Sequence, residues 1–203
     1  MTGLHGTVAP VVAAYLAFHG HVIVPFDRDL INIEDDKAIS GLIEESNPDW
    51  IFHLGMGSVE FTQTLVRHAK ARGIRFLYTS TVMVFDGNAQ GPYDIHVVPE
   101  PKSNYGKYKY ESELAIRNID PDASIIRLGW QIGQNTSGNQ MIAHLKNEYM
   151  SKGFNEASKD VSLACSFITE SAKVMLEITT MKPGLYHMDQ SLGMSFYDVI
   201  GHL

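Results

Sequence analysis

The chain has a single cysteine, Cys165, so it can form no internal disulfide, and no metal-ligand spacing surrounds that residue. One thiol fits a reducing cytosol, and its Leu-Ala-Cys-Ser-Phe setting reads as buried and inert. Long apolar runs are also missing: none approaches the about 20 residues that span a bilayer. No signal peptide precedes the first motif, so the expectation is a soluble, intracellular, cytoplasmic protein. Basic excess is absent too. The formal net charge is −7 with the acidic residues scattered, which argues against a nucleic acid or an anionic membrane as partner. There is no internal repeat and no low-complexity segment. What remains is 203 residues, 44% hydrophobic and 19% charged, enough for one domain or one domain with a small lobe.

Short apolar runs alternate with segments of helical period. Strands are expected at 21–26, 50–54, 74–79, 124–128 and 184–188. Helices are expected up to Phe18, at 35–45 with Ile39, Leu42 and Ile43 inward, and at 59–71, 104–118, 140–150 and 169–179. Such alternation predicts an α/β fold, a parallel sheet with helices on both faces. Met141, Met150, Met175, Met181 and Met188 read as core filler.

Three local patterns carry chemistry. Tyr105 and Lys109 lie four residues apart on one face of the expected helix. A Lys beside a Tyr stabilises phenolate, which lowers the phenol from its reference pKa of about 10 and suits it to proton transfer. Near the start, Thr2-Gly-Leu-His-Gly-Thr-Val-Ala9 reads as a glycine-rich turn opening a helix. Its N–H groups and positive helix end would face a pyrophosphate. A strand should precede that turn, and only Met1 does, so open sheet edges are expected unless chain upstream of Met1 or some other segment fills the slot. Asp27 stands 24 positions after Gly3, where a ribose-binding carboxylate belongs, though Asp27-Arg28-Asp29 reads equally as a solvated turn.

Taken in order, these pieces resemble an extended short-chain dehydrogenase/reductase, most closely the dTDP-4-dehydrorhamnose reductase branch of sugar-nucleotide-binding proteins. Thr2 to Ala9 resembles that family's Thr-Gly-x-x-Gly-x-x-Gly turn. Asp27-Arg28 with Ile31-Asn-Ile-Glu-Asp35 resembles its Asp-Arg and Leu-Asp-Ile-x-Asp segments. Ser80-Thr-Val-Met-Val-Phe-Asp-Gly87 resembles its Ser-Thr-Asp-Tyr-Val-Phe-Asp-Gly. Tyr105-Gly-Lys-Tyr-Lys-Tyr-Glu-Ser-Glu113 resembles its Tyr-Gly-x-x-Lys-x-x-x-Glu helix, and Arg127-Leu-Gly-Trp130 and Gly184-Leu-Tyr-His187 extend the likeness.

The resemblance implies a Rossmann-type doubly wound sheet: residues 1–130 as the NAD(P)-binding part and 131–203 as a small, abridged substrate lobe interleaved with it. It implies reduction of a 4-keto-6-deoxy nucleotide sugar for cell-surface polysaccharide synthesis, with Tyr105 as proton donor. Lys109 would tune that phenol and hold the nicotinamide ribose, and Thr81 would bind the ketone oxygen. Gly3, His5, Gly6, Thr7, Asn32, Ile33 and Gly55 would line the cofactor. Arg28 would meet a 2′-phosphate and Asp27 a 2′-hydroxyl, leaving NADP or NAD open. Thr81, Val82, Met83, Trp130 and Asn139, with Gln140, are the implied substrate contacts; Trp130 reads equally as core. A homodimer is implied by analogy with relatives that pair through helices.

The chain departs from the family at four further points. Ala9 replaces a glycine, and His53-Leu-Gly-Met-Gly-Ser58 replaces Asn-Ala-Ala-Ala-Tyr with a shortened connection. Val82-Met83 replaces Asp-Tyr, and Ala164-Cys-Ser-Phe167 stands for Gly-x-Pro-Thr. His53 reads as a satisfied strand-end histidine. Two other readings stand beside the reductase: a non-catalytic cofactor- or nucleotide-sugar-binding regulatory protein on the same scaffold, and a nucleotide-sugar epimerase.

Overall fold

The computed structural model describes residues 1–87, 91–133, 141–190 and 193–202. A four-stranded parallel sheet forms from β1 (Trp50–His53), β2 (Arg75–Thr81), β3 (Ser124–Leu128) and β6 (Leu185–Met188), in the spatial order β1-β2-β3-β6. Every neighbouring pair is parallel, so each connection must cross over the sheet through a helix. Side chains alternate along the strands. Ile51, Phe76, Tyr78 and Ile125 face a cluster with Ile39, Phe61 and Leu65 from α2 (Asp36–Ser46) and α3 (Val59–Ala71), and Ile116 from α4 (Asn104–Ile119). Phe52, Leu77, Ile126 and Leu128 face Val12 and Leu16 of α1 (Ala9–Phe18), and Ala172, Met175 and Ile178 of α6 (Ile168–Ile178). Both faces are covered, which is why these strands read as continuous apolar runs.

A smaller unit sits beyond the C-terminal ends of the strands. Parallel strands β4 (Trp130–Ile132) and β5 (Cys165–Phe167) pack with α5 (Met141–Lys152) and α7 (Phe196–Gly201) around Ile132, Met141, Leu145, Cys165 and Val199. Gly129 lets the chain leave β3 for this unit, because a Cβ there would lie 2.1 Å from the Ala164 carbonyl oxygen. The strands β4 and β5, the helix α7 and a 3-10 turn over Val82–Phe85 were not expected from the sequence, where no apolar run or helical period marks them.

Residues 21–26 were expected to form a strand, and the structure has none there. Its backbone bonds instead to the first residue of the chain. The Phe26 N–H donates to the Met1 carbonyl (2.8 Å), and the Met1 ammonium donates to the Val24 carbonyl (2.7 Å). Thr2 in turn bridges to the edge of β1, its N–H donating to the Phe52 carbonyl at 3.0 Å. Val22 is 91% exposed. Two methionines expected in the core are also outside it: Met150 projects from the outer face of α5 at 77% exposure, and Met181 lies in the turn after α6 at 50%. Met141, Met175 and Met188 are buried.

Candidate active site

The site is assembled at the C-terminal end of β2. Thr81 ends that strand, and its hydroxyl accepts the Met83 N–H at 3.2 Å, which starts the 3-10 turn over Val82–Phe85. The turn hands the chain to Asp86, whose carboxylate accepts the Lys102 and Ser103 N–H groups at 2.5 and 3.0 Å. Those bonds hold the Asp86 carboxyl below its ordinary range, the Ser103 side chain being the first cause. Gly87 follows because a Cβ would fall 2.0 Å from the Glu100 carbonyl oxygen. The Phe-Asp-Gly sequence is thus a clasp that fixes where α4 begins.

Helix α4 is capped by Ser103, whose hydroxyl accepts the Gly106 N–H at 3.0 Å. Gly106 presses on the Val82–Phe85 turn, where a Cβ would meet the Met83 carbonyl oxygen at 2.5 Å. This close approach brings Tyr105 and Lys109 over the end of β2. Lys109 is 3% exposed and donates to the Thr79 carbonyl at 2.7 Å. Its ammonium lies 4.6 Å from the Tyr78 ring centre and 5.9 Å from that of Tyr105. Burial drives the Lys109 pKa down to about 7, opposed by the Glu113 carboxylate one turn further along.

The phenol behaves differently from the sequence expectation. Tyr105 is 40% exposed as a whole, yet the burial of its ring is the first cause that pushes the phenol above its ordinary range, followed by Tyr108, while a hydrogen bond with the Thr81 hydroxyl works the other way. The Lys109 ammonium itself bonds to the Thr79 carbonyl. At neutral pH the Tyr105 phenol keeps its proton.

Behind the pair lies a buried ion pair. Arg127 donates to both Glu113 oxygens, at 2.9 and 2.6 Å, with both residues 2% exposed. A third Arg127 N–H reaches His187 Nε2 at 3.2 Å. A guanidinium can only donate, so this nitrogen accepts, in keeping with a pKa held below the usual imidazole range by burial and by Arg127. Phe85 stacks on Tyr93 with ring centres 4.7 Å apart, and Arg127 lies over the Phe85 ring at 4.9 Å.

A cavity of about 1770 Å³ runs across this end of the sheet. Thr81, Tyr105 and Lys109 line its middle. Gly3, His5, Gly6, Thr7 and Gly55 line one arm, with Asp27 and Arg28 at its far wall. Val82, Met83 and Trp130 line the other arm, where the Trp130 ring meets His144 and Phe196 edge-on. Asn32 and Ile33 are not brought to the cavity. Asn32 Oδ1 is spent on the Glu34 N–H at 3.0 Å, and Ile33 packs on the core cluster under α2 and α3. Asn139 and Gln140 lie outside the described residues.

Sequence reasoning missed several wall residues, among them Tyr93, His144, His187 and Ser80. The Ser80 hydroxyl is buried beside the cavity and has no hydrogen-bond partner among the described residues. A seryl in the Ser80-Thr81 pair carried no separate signal. Cys165 is buried, and burial followed by Asp189 pushes its thiol up, as an inert cysteine should be. Among the described residues no helix is long and apolar enough to cross a membrane, and no group of three His, Cys, Asp or Glu could hold a metal.

Comparison with known proteins adds identity to this geometry. A probable low-salt glycan biosynthesis reductase of Haloferax volcanii is 28% identical over 168 residues, 70% of this chain and 56% of that protein. The methionine adenosyltransferase 2 subunit beta of Xenopus tropicalis is 25% identical over 199 residues, 84% of this chain and 58% of that protein. The chain therefore spans little more than half the length of these relatives. The crystal structure of dTDP-4-dehydrorhamnose reductase from Bacillus anthracis in complex with NADP superposes with a TM-score of 0.82 at 19% identity, covering 99% of this chain and 77% of that one. The family model of the RmlD substrate binding domain matches residues 58–200, most of the chain and all of the Thr81, Tyr105 and Lys109 site; the chain belongs to that family, within the extended short-chain dehydrogenases/reductases.

Proposed function

We propose that the protein is an NAD(P)H-dependent reductase of a keto-sugar nucleotide, with a 4-keto-6-deoxy sugar as the substrate class. One observation carries the reading. Thr81, Tyr105 and Lys109 converge in a single cavity whose other wall is a glycine turn opening a helix. The residues present fit a dinucleotide: backbone at Gly3 to Thr7 near the N-terminus of α1, an unpartnered Ser80 hydroxyl, and Lys109 with only one of its three N–H groups spent on Thr79. The nicotinamide, when bound, supplies the hydride.

The chain's own residues do the rest. Thr81 and Tyr105 offer two hydroxyls to one ketone oxygen at the C-terminal end of β2, where open α/β sheets hold ligands. The raised pKa of Tyr105 keeps its proton in place until negative charge develops on that oxygen, which is the form a proton donor needs. Lys109, near 7, exchanges its own proton readily and can restore charge beside the phenol. Val82 and Met83 make the adjoining wall apolar, suited to a deoxy position. Asp27 and Arg28 both line the cavity, so a 2′-hydroxyl and a 2′-phosphate each find a partner there and the choice of NADPH or NADH is left to the titration.

Titration of the purified protein with NADPH and NADH, followed by nicotinamide fluorescence, tests the reading. Saturation at micromolar NADPH or NADH and turnover of a keto-sugar nucleotide are expected. A folded sample that binds neither cofactor overturns it and favours a second reading, a non-catalytic subunit. The name of the Xenopus relative, a subunit beta, supports that alternative.

A further inference from the structure

The connection after β1 is where this chain departs most from its family's pattern, and it holds a buried histidine with no assigned role. His53 is fully buried on the last position of β1. Its Nδ1 lies 2.8 Å from Thr2 Oγ1 and its Nε2 lies 3.1 Å from Thr62 Oγ1. Thr2 Oγ1 also accepts the Gly55 N–H at 2.9 Å, and Thr62 Oγ1 donates to the Ser58 carbonyl at 3.3 Å. One direction gives every hydroxyl proton an acceptor. Gly55 N–H donates to Thr2, the Thr2 hydroxyl donates to Nδ1, Nε2–H donates to Thr62, and Thr62 donates to Ser58. That direction requires a neutral imidazole. Burial first, then the positive charges of Lys109, Arg28 and the Met1 ammonium, holds His53 well below the ordinary range.

The chain of bonds spans two strips of backbone that touch. A Cβ on Gly3 would lie 2.7 Å from the Gly55 nitrogen, and one on Gly55 would lie 3.1 Å from the Gly3 nitrogen. Gly3 has φ +85°, and both glycines line the cavity arm beneath the glycine turn. We propose that His53 is a positioning residue: by relaying hydrogen bonds between Thr2 and Thr62 it clamps the shortened 54–58 loop onto the glycine turn and so sets the floor of the cofactor cradle. The inference rests on reading that cavity arm as a nicotinamide-dinucleotide site.

Two variants and two readouts test it. Thr2→Val keeps the shape of the side chain and removes the hydroxyl relay; Thr2→Ser restores the hydroxyl. Losing both hydrogen bonds of the Thr2 hydroxyl should weaken NADPH binding about tenfold or more in Thr2→Val, and Thr2→Ser should recover to within about twofold of the parent. Hydrogen exchange at the Gly55 amide, measured without cofactor, should speed up severalfold in Thr62→Val, which keeps the Thr2–Gly55 bond itself and removes only its support through His53. Nitrogen NMR of the histidines should show His53 as the neutral Nε2–H form across mildly acidic and mildly basic pH. Thr62→Val also reads NADPH affinity from the other end of the relay should Thr2→Val fail to fold. Unchanged Gly55 exchange, or an Nδ1–H tautomer, overturns the clamp. Unchanged NADPH affinity beside faster Gly55 exchange overturns its role at the cradle. A parent protein that binds neither NADPH nor NADH overturns the cofactor reading beneath it and leaves the Gly55 and tautomer results to stand by themselves.

Discussion

The two walls of the cavity are built in opposite ways. The wall formed by β2, the Val82–Phe85 turn and α4 is dense: Lys109, Glu113 and Arg127 are all 3% exposed or less, locked by a two-pronged ion pair, and Gly106 and Gly87 have no room for a Cβ. The wall formed by the glycine turn, the 21–26 segment and the 54–58 loop depends on a handful of hydrogen bonds through Met1, Thr2 and His53. Proton chemistry needs side chains fixed to fractions of an ångström, and packing supplies that. A cofactor cradle is largely backbone, and short hydrogen-bonded strips suffice for it.

The sharpest way to break this contrast is Tyr105→Phe. It removes the proposed proton donor and little else, so turnover should fall by about 10²–10⁴-fold while NADPH affinity stays near the parent's. Unchanged turnover would end the catalytic reading of the dense wall. Next comes Arg127→Met, which leaves the Glu113 carboxylate buried and unpaired. Urea unfolding should show a loss of about 3–5 kcal/mol, far more than any change in the loose wall.

Lys109 sharpens the comparison through pH. Its folded pKa of about 7 lies below the unfolded value, so between the two the unfolded chain binds more protons and stability must rise with pH. Below about 7 both states are protonated and the dependence from this group vanishes. Lys109→Met should flatten the rise in unfolding midpoint from neutral to alkaline pH; a slope equal to the parent's would show that Lys109 is not buried as an uncharged amine. The smallest effect is expected in the loose wall, where Val22→Ser at a 91% exposed position should shift stability by less than about 0.5 kcal/mol. A large loss there would mean that the 21–26 segment is packed.

Much of the dense wall was readable beforehand. Long segments with clear period gave α3, α4 and β3 nearly to the residue, because each buries a whole face or both faces of a strand. The trio Thr81, Tyr105 and Lys109 was named by the family resemblance, and the fold brings its three members to one cavity. Asn32 and Ile33 were misplaced because a turn residue satisfying its neighbour's N–H looks the same in sequence as one reaching a ligand. The strand at 21–26 failed because β propensity describes a segment and says nothing about whether a partner strand lies beside it. His187 and Ser80 stood inside quoted motifs but had no role assigned, and the fold brings both to the cavity.

By itself the sequence determined the α/β alternation, the apolar faces and the helix that sets Tyr105 and Lys109 on one side, since these follow from local period and side-chain chemistry. Tertiary structure decided the direction in which Lys109 points, the rise rather than fall of the Tyr105 pKa, and the hydrogen-bond relay through His53. Protonation and orientation depend on burial and on partners up to 60 residues away in the chain, and only folding brings those together.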